Sequence, residues 1–151
     1  MNGNVESILA TFQNIGKRQV KGVDITATLA RDMAHLGRFT FAFNATHISE
    51  FQDKFDPSSP TVDKAGTFRD EASGGLGALP DWKWNAGFSW QHKNWQAHYN
   101  IHRVSELDEI VPLEERKRTI DSWTTHNTNM SYLGPVTVWT RVTLGMKNIF
   151  D

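Results

Sequence analysis

The stretch Leu79 to Val104, LPDWKWNAGFSWQHKNWQAHYNIHRV, constrains this chain more than any other part of it. Trp82, Trp84, Ala86, Phe88 and Trp90 alternate strictly with Lys83, Asn85, Gly87 and Ser89. After Gln91, His92, Lys93 and Asn94 the alternation resumes, with Trp95, Ala97, Tyr99 and Ile101 set against Gln96, His98, Asn100 and His102. A period of two sends successive side chains to opposite faces of an extended strand, and a short polar gap between two such runs predicts a hairpin. One face of that hairpin is aromatic and the other is polar.

The same period appears elsewhere. Val23, Ile25, Ala27 and Leu29 alternate with Asp24, Thr26 and Thr28, and Phe39, Phe41, Phe43 and Ala45 alternate with Thr40, Ala42 and Asn44, running to about Phe51. Weaker strands are expected at Ile8, Ala10 and Phe12 and over Thr119 to Tyr132, where His126, Thr128, Met130 and Tyr132 share a face. A last strand is expected through Val138, Thr140, Val142, Leu144 and Met146 to Phe150. Between these strands the connections alternate in length: short at Asp32 to Gly37, long at Asp53 to Ala78, short at Gln91 to Asn94, long at Ser105 to Lys117, short at Leu133 to Pro135. The Asp53 to Ala78 connection reads as a functional loop or a disordered one, and EIVPLEERKR within the second long connection as a turn of helix.

In an up-and-down meander, successive connections fall at opposite ends of the sheet, so all the short turns share one end. Transmembrane β-barrels are built with that asymmetry. A soluble up-and-down barrel of the lipocalin type shows it too, with the apolar face turned inward. Aromatic spacing favours the membrane. Trp82 and Trp90 are eight residues apart on one face, about 26 Å at roughly 3.3 Å per residue. A tilt of about 40° reduces this to roughly 20 Å along the barrel axis, near the height of an apolar band flanked by aromatic girdles. Trp82 then marks the outer interface, and Trp90 and Trp95 the inner one.

Composition excludes several alternatives. Over 151 residues, 16 basic and 17 acidic side chains nearly cancel and no segment is purely basic, so nucleic acid is not an expected partner. With no cysteine there is neither a disulfide framework nor a thiolate metal site. No run approaches the roughly 18 apolar residues of a membrane helix, a signal that β-barrels never give. The opening MNGNVESILATF lacks the pattern of a secretory signal peptide, so an exported protein implies that this chain is a piece of something longer.

Chemistry-bearing clusters are sparse. His98 and His102 would share one face of a helix, but on a strand they stand about 13 Å apart, too far to ligate one metal. Asp108, Glu109, Glu114 and Glu115 could hold a cation or face a chelated ligand, but a charge run of this kind reads first as a solvated loop face. The glycines Gly74, Gly75 and Gly77 lack the strand, the Lys-Ser/Thr pair and the helix of a phosphate cradle. The sequons at Asn44 and Asn129 fall within strands. No Ser, His and Asp set can be assembled, so an enzyme is not expected, and no cofactor is.

NIGKRQVKGVDITATLA, LGRFTFAFNATHI, the opening hairpin and SWTTHNTNMSYLGPVTVWTRVTLGMKNIFD together resemble, in order and spacing, the C-terminal barrel region of TonB-dependent outer-membrane receptors. The most specific parts are Lys21-Gly22-Val23-Asp24, Leu79-Pro80-x-Trp82, and Leu144-Gly145-Met146-Lys147-Asn148-Ile149-Phe150-Asp151, similar to the LG-x-x-NLFD motif with Ile149 in place of Leu. His126 and Thr128 depart from the apolar residues usual at such positions. The resemblance implies a 22-stranded barrel in the bacterial outer membrane, a plug domain, a segment that engages TonB, and import of iron chelates, cobalamin or saccharides.

The expected fold is therefore all-β: an antiparallel up-and-down meander of six to seven strands over residues 1–151, an incomplete segment of a transmembrane β-barrel without plug or final strand. Its expected partners are outer-membrane lipid, the remainder of the barrel, the plug, TonB through the N-terminal part of such receptors, and an unidentified solute. Asn85, Gln96, His98, Asn100 and His102 are expected to face the lumen. Trp82, Trp84, Phe88, Trp90, Trp95, Tyr99, Phe39, Phe41 and Phe43 are expected to face lipid. Two readings compete with this one: a soluble lipocalin-like ligand-binding barrel, and a truncated reading frame without independent function.

Overall fold

The computed structural model describes residues 16–54, 58, 60–68, 77–110, 118–134 and 140–150. Among the described residues, ten strands run in chain order: β1 Lys17–Met33, β2 Gly37–Lys54, β3 Val62–Asp63, β4 Thr67–Phe68, β5 Trp82–His92, β6 Trp95–Val104, β7 Leu107–Glu109, β8 Thr119–Ile120, β9 Trp123–Leu133 and β10 Arg141–Met146. The large sheet has the order β1-β2-β5-β6-β9-β10 with β3 on the far end of β2, and every pairing in it is antiparallel. Neighbours along the chain are neighbours in the sheet, as an up-and-down meander requires. Among the described residues β1 and β10 find no further partner, so the sheet stays open.

The register keeps each sequence stripe intact across the sheet. Leu29 pairs with Phe41, Phe41 with Phe88, Phe88 with Tyr99, Tyr99 with Thr128 and Thr128 with Met146. A slip of one residue would move a whole strand's apolar set to the other face, so five consecutive pairings without such a slip are what the alternation specifies. Beyond the apolar stretch, β1 and β2 absorb one extra residue at a bulge between Lys21 and Gly22, where a Cβ on Gly22 would lie 2.5 Å from the carbonyl oxygen of His47.

Two of the turns are tighter than the sequence suggests. Pairing continues to His92 and Trp95, leaving only Lys93 and Asn94 between β5 and β6, and Lys93 adopts φ of 51°. Ala34, His35 and Leu36 join β1 to β2. The turn closes on Gly37 at φ of 94°, where a Cβ would meet the Gln91 carbonyl oxygen at 2.2 Å. The expected tight turn at Leu133 to Pro135 is a longer connection, because Leu133 pairs with Arg141 and Gly134 N–H donates to Thr140 O.

The long connections also differ from expectation. Asp53 to Ala78 carries β3 and β4, and the expected strand over Thr119 to Tyr132 divides into β8 and β9 at Asp121 and Ser122. Glu109, the first residue of the expected turn of helix, ends β7, and residues 111–117 of that turn lie outside the described residues. Strands β4, β7 and β8 form a second, three-stranded sheet in which β4 runs parallel to β7, so the two long connections are joined to each other. The expected strand at Ile8 to Phe12, Gly74, Gly75, Glu114, Glu115 and Val138 lie outside the described residues.

Candidate functional site

The large sheet is a single layer, and its two faces are chemically distinct. Trp82, Trp84, Phe88 and Trp90 of β5, Trp95 and Tyr99 of β6, and Phe39, Phe41 and Phe43 of β2 lie on one face, each paired with another member of the same stripe or continuous with it. Asn85, Gln96, His98, Asn100 and His102 lie together on the opposite face, opposed by His102, Gln91, Ser89, Gly87 and Asn85 respectively. Trp82 stands at the end of the sheet that carries the long connections, and Trp90 and Trp95 at the end with the short turns.

Little covers the aromatic face. Phe88 is 44% exposed and Leu144 76%, and of the aromatic-face side chains of the large sheet Ala45 is buried. What order the face has comes from neighbours in the sheet: Phe39 with Phe88 at 5.9 Å between ring centroids, Phe43 with Trp84 at 6.2 Å, Trp95 with Tyr132 at 4.6 Å, and His47 stacked on Trp82 at 4.3 Å. Such pairs contribute about 0.5–1.5 kcal/mol each beyond burial. His126 and Thr128 do lie on this face, each with a polar side-chain atom hydrogen-bonded within the sheet. His126 Nδ1 is 2.7 Å from Tyr99 Oη, and the Thr128 hydroxyl donates to His98 O at 3.0 Å. Phe150 closes over the His126 ring edge-on at 5.0 Å.

Across the polar face, side chains bind one another from strand to strand. Thr46 Oγ1 donates to Asp24 Oδ1 at 2.6 Å, Thr26 Oγ1 to Asn44 Oδ1 at 3.2 Å, and Asn100 Nδ2 to Asn85 Oδ1 at 2.6 Å. Ser89 Oγ lies 2.8 Å from His98 Nδ1, and Ser131 and Thr143 hydroxyls are 2.8 Å apart. Between the Asp24–Thr46 and Asn85–His102 pairs runs a shallow open groove of about 260 Å³, with Lys83 at its side. Hydroxyls, amides and one charge of each sign suit it to hydrogen-bonding a hydrated solute or another protein surface. The Ser89–His98 contact is not a catalytic triad, since no carboxylate binds His98 among the described residues.

The buried charges at the long-connection end are not legible in the sequence. Glu109, expected on a solvated loop face, is 2% exposed, and Arg118 grips it from two sides, Nε to Oε2 at 3.0 Å and Nη2 to Oε1 at 2.6 Å. The Arg118 guanidinium also lies 6.0 Å from the Phe68 ring centroid. Asp53 accepts from Lys64 Nζ at 3.0 Å and Arg18 Nη2 at 3.1 Å. These donors hold both carboxyl groups below their ordinary pKa, Glu109 through its bonds to Arg118 and Asp53 through those to Lys64 and then Arg18, against the opposing pull of burial. The only cue in the sequence is a basic residue nine positions after Glu109, and spacing does not identify a partner across a turn.

The closing motif also has a structural role that its spelling hides. Asn148 takes φ of 52°, its N–H donates to Asn127 Oδ1 at 3.1 Å, and Ile149 N–H reaches His126 O at 3.0 Å. Asparagine tolerates this left-handed conformation better than other non-glycine residues, which accounts for its place in the motif.

A family model described as TonB dependent receptor-like, beta-barrel matches residues 2–149. Searches among curated proteins and among solved structures returned no match.

Proposed function

The chain belongs to the TonB-dependent receptor β-barrel family, and on that premise we propose that it forms part of the wall of a bacterial outer-membrane receptor that imports a scarce solute of the siderophore-iron, cobalamin or saccharide class. In this reading residues 1–151 are a partial barrel, its aromatic face meets lipid, and its polar face, with Asn85, Gln96, His98, Asn100 and His102, lines the solute path or contacts the plug. The remainder of the barrel continues from the open edges, and TonB is engaged through the plug-bearing part of such receptors. Receptor and transport roles, without catalysis, are what this family performs.

One observation carries the reading: a sheet in which the stripes Val23 to Leu29, Phe39 to Ala45, Trp82 to Trp90 and Trp95 to Ile101 share one largely uncovered face, while on the opposite face polar side chains of neighbouring strands bond to one another. In water an aromatic surface of that extent is an aggregation hazard, whereas in hydrocarbon it is the solvated side of the protein. A lipocalin-like barrel needs the same face turned inward under a second layer, and the described residues provide none. Acyl-chain-brominated lipid is expected to quench the tryptophan fluorescence of the vesicle-bound chain. Quenching by soluble apolar ligands instead, with none by brominated lipid, would favour the soluble barrel. For the solute, cells with and without the gene are compared for uptake of ferric siderophore, cobalamin and oligosaccharide under limitation for each. Unchanged uptake of all three would remove the import assignment.

A further inference from the structure

We propose that the groove around Trp82, Trp84 and Arg103, at the long-connection end of the aromatic face, binds the ring of a neutral saccharide. Along β6 the aromatic-face stripe reads Trp95, Ala97, Tyr99, Ile101 and then Arg103, a charge where the period calls for an apolar group. Register sets Arg103 beside Trp84 on one side and Thr124 on the other. The groove has a volume of about 560 Å³, and Asp81, Ser105 and Glu106 join the three in lining it. Small-ligand sites commonly measure about 300–1,000 Å³. It lies on the other side of the sheet from Asn85, His98 and His102, so it does not depend on the import reading.

The polar groups of the groove are positioned without neutralising one another. Arg103 Nη1 donates to Thr124 Oγ1 at 2.8 Å and Nη2 to Ser122 Oγ at 2.9 Å, which fixes the plane of the guanidinium and leaves three of its five N–H groups for a ligand. Asp81 Oδ1 accepts from the Ser105 hydroxyl at 2.5 Å, and the backbone oxygen of Asp81 accepts from Ile48 N–H at 2.8 Å. The Glu106 side chain is exposed. Two carboxylates against one guanidinium make the groove net negative, which disfavours phosphate, sulfate or a uronate, while Arg103 opposes an ammonium group. An uncharged ligand with adjacent hydroxyls satisfies both signs: its hydroxyls donate to the carboxylates and accept from the guanidinium, and hydrogen bonds to ionised groups are the strong ones. The two indoles supply the remaining requirement, since the C–H face of a pyranose is slightly positive and an indole face is negative. His47 stacks on Trp82 at 4.3 Å between ring centroids, which holds that indole in place while 39% of the residue stays exposed.

The full chain, with Trp90, Trp95, Trp123 and Trp139 replaced by Phe so that Trp82 and Trp84 report, is refolded in micelles of a zwitterionic detergent that carries no sugar. Its emission is followed on titration with the methyl glycosides of glucose, galactose and mannose, with methyl glucuronide, and with glycerol. The expected result is a saturable change from at least one neutral glycoside, with a dissociation constant of about 1 mM. Glycerol should give no saturation, and the glucuronide should bind about tenfold more weakly because its charge meets two carboxylates. Glu106→Gln should weaken the neutral glycoside about tenfold, the effect of losing a hydrogen bond to a charged group. It should also narrow the gap to the glucuronide, whereas Arg103→Gln should widen it, opposite shifts that a general loss of folding does not produce. Micelles doped with glucosyl diacylglycerol test the other source of the same ring. A response to the free glycoside assigns a soluble saccharide, and a response to the glycolipid alone assigns one carried by the membrane. No saturable change from any glycoside or from the glycolipid overturns the site. So does a glucuronide that binds as tightly as the neutral ring, or binding indifferent to both substitutions. Each of these failures leaves the reading of the aromatic face as lipid-facing where it stands.

Discussion

The large sheet and the small sheet at its long-connection end solve the same problem in opposite ways. The large sheet leaves Phe88, Leu144, Met146 and Trp82 uncovered and depends on what surrounds it for the energy of burial. The small sheet of β4, β7 and β8 buries Phe68, Leu107 and Glu109 in contacts of its own. Hydrophobic burial needs either a protein layer or an apolar solvent over the side chain; the small sheet has the first, and the proposed membrane setting would supply the second to the large one. On that proposal one chain is packed for two media, with the boundary between them near the His47–Trp82 stack.

The largest test of this contrast is Phe68→Ala. Emptying a buried phenylalanine site costs about 3–5 kcal/mol. Hydrogen-exchange protection should therefore fall at Leu107 to Glu109 and at Ile120 while β5 and β6 keep theirs, and equal loss in both regions would remove the distinction between them. Next comes Phe88→Arg, expected to cost about 2–4 kcal/mol in vesicles if that face lies near the bilayer midplane. Ser89→Arg, one residue along on the other face, should cost far less in the same folding titration. Similar costs for the two would show that the faces do not meet different media.

Acid should separate the regions as well. Asp53 and Glu109 have lowered folded-state pKa values, so their stabilisation is full above the ordinary carboxylate range and is lost as pH falls through the folded values. The small sheet and the β2–β3 pairing should open first on acidification, seen as exchange at Val62 to Lys64 and Leu107 to Glu109 ahead of exchange in β5. The smallest effect is at the closing motif. Asn148→Ala should cost about 1 kcal/mol, the penalty for an ordinary side chain in the left-handed region, and Asn148→Gly close to nothing. Thermal unfolding of the two variants distinguishes this conformational role from a contact made by the amide.

Much of the architecture was legible in the residues. Alternation from Phe39 to Phe43 and from Trp82 to Ile101 set both faces, because a period of two admits no other assignment on an extended backbone. The five polar and nine aromatic residues singled out from sequence fall on opposite faces as groups. Strand ends were less legible. Gln91 and His92 look like turn residues, yet they pair with Gln96 and Trp95, since backbone hydrogen bonds extend a strand wherever a partner is present. Arg103 is not legible in this way, because the apolar alternation of β6 ends at Ile101.

The sequence by itself determined a two-faced antiparallel meander with its short turns at one end, and through its collinear motifs it pointed to the family. Tertiary structure alone decided that the long connections join into a sheet, that Glu109 is buried against Arg118, and that Arg103 is held by Ser122 and Thr124 beside two tryptophans. The physical reason is range. Alternation is written between adjacent residues and survives any environment, while an ion pair or a groove depends on which distant segments the register brings together.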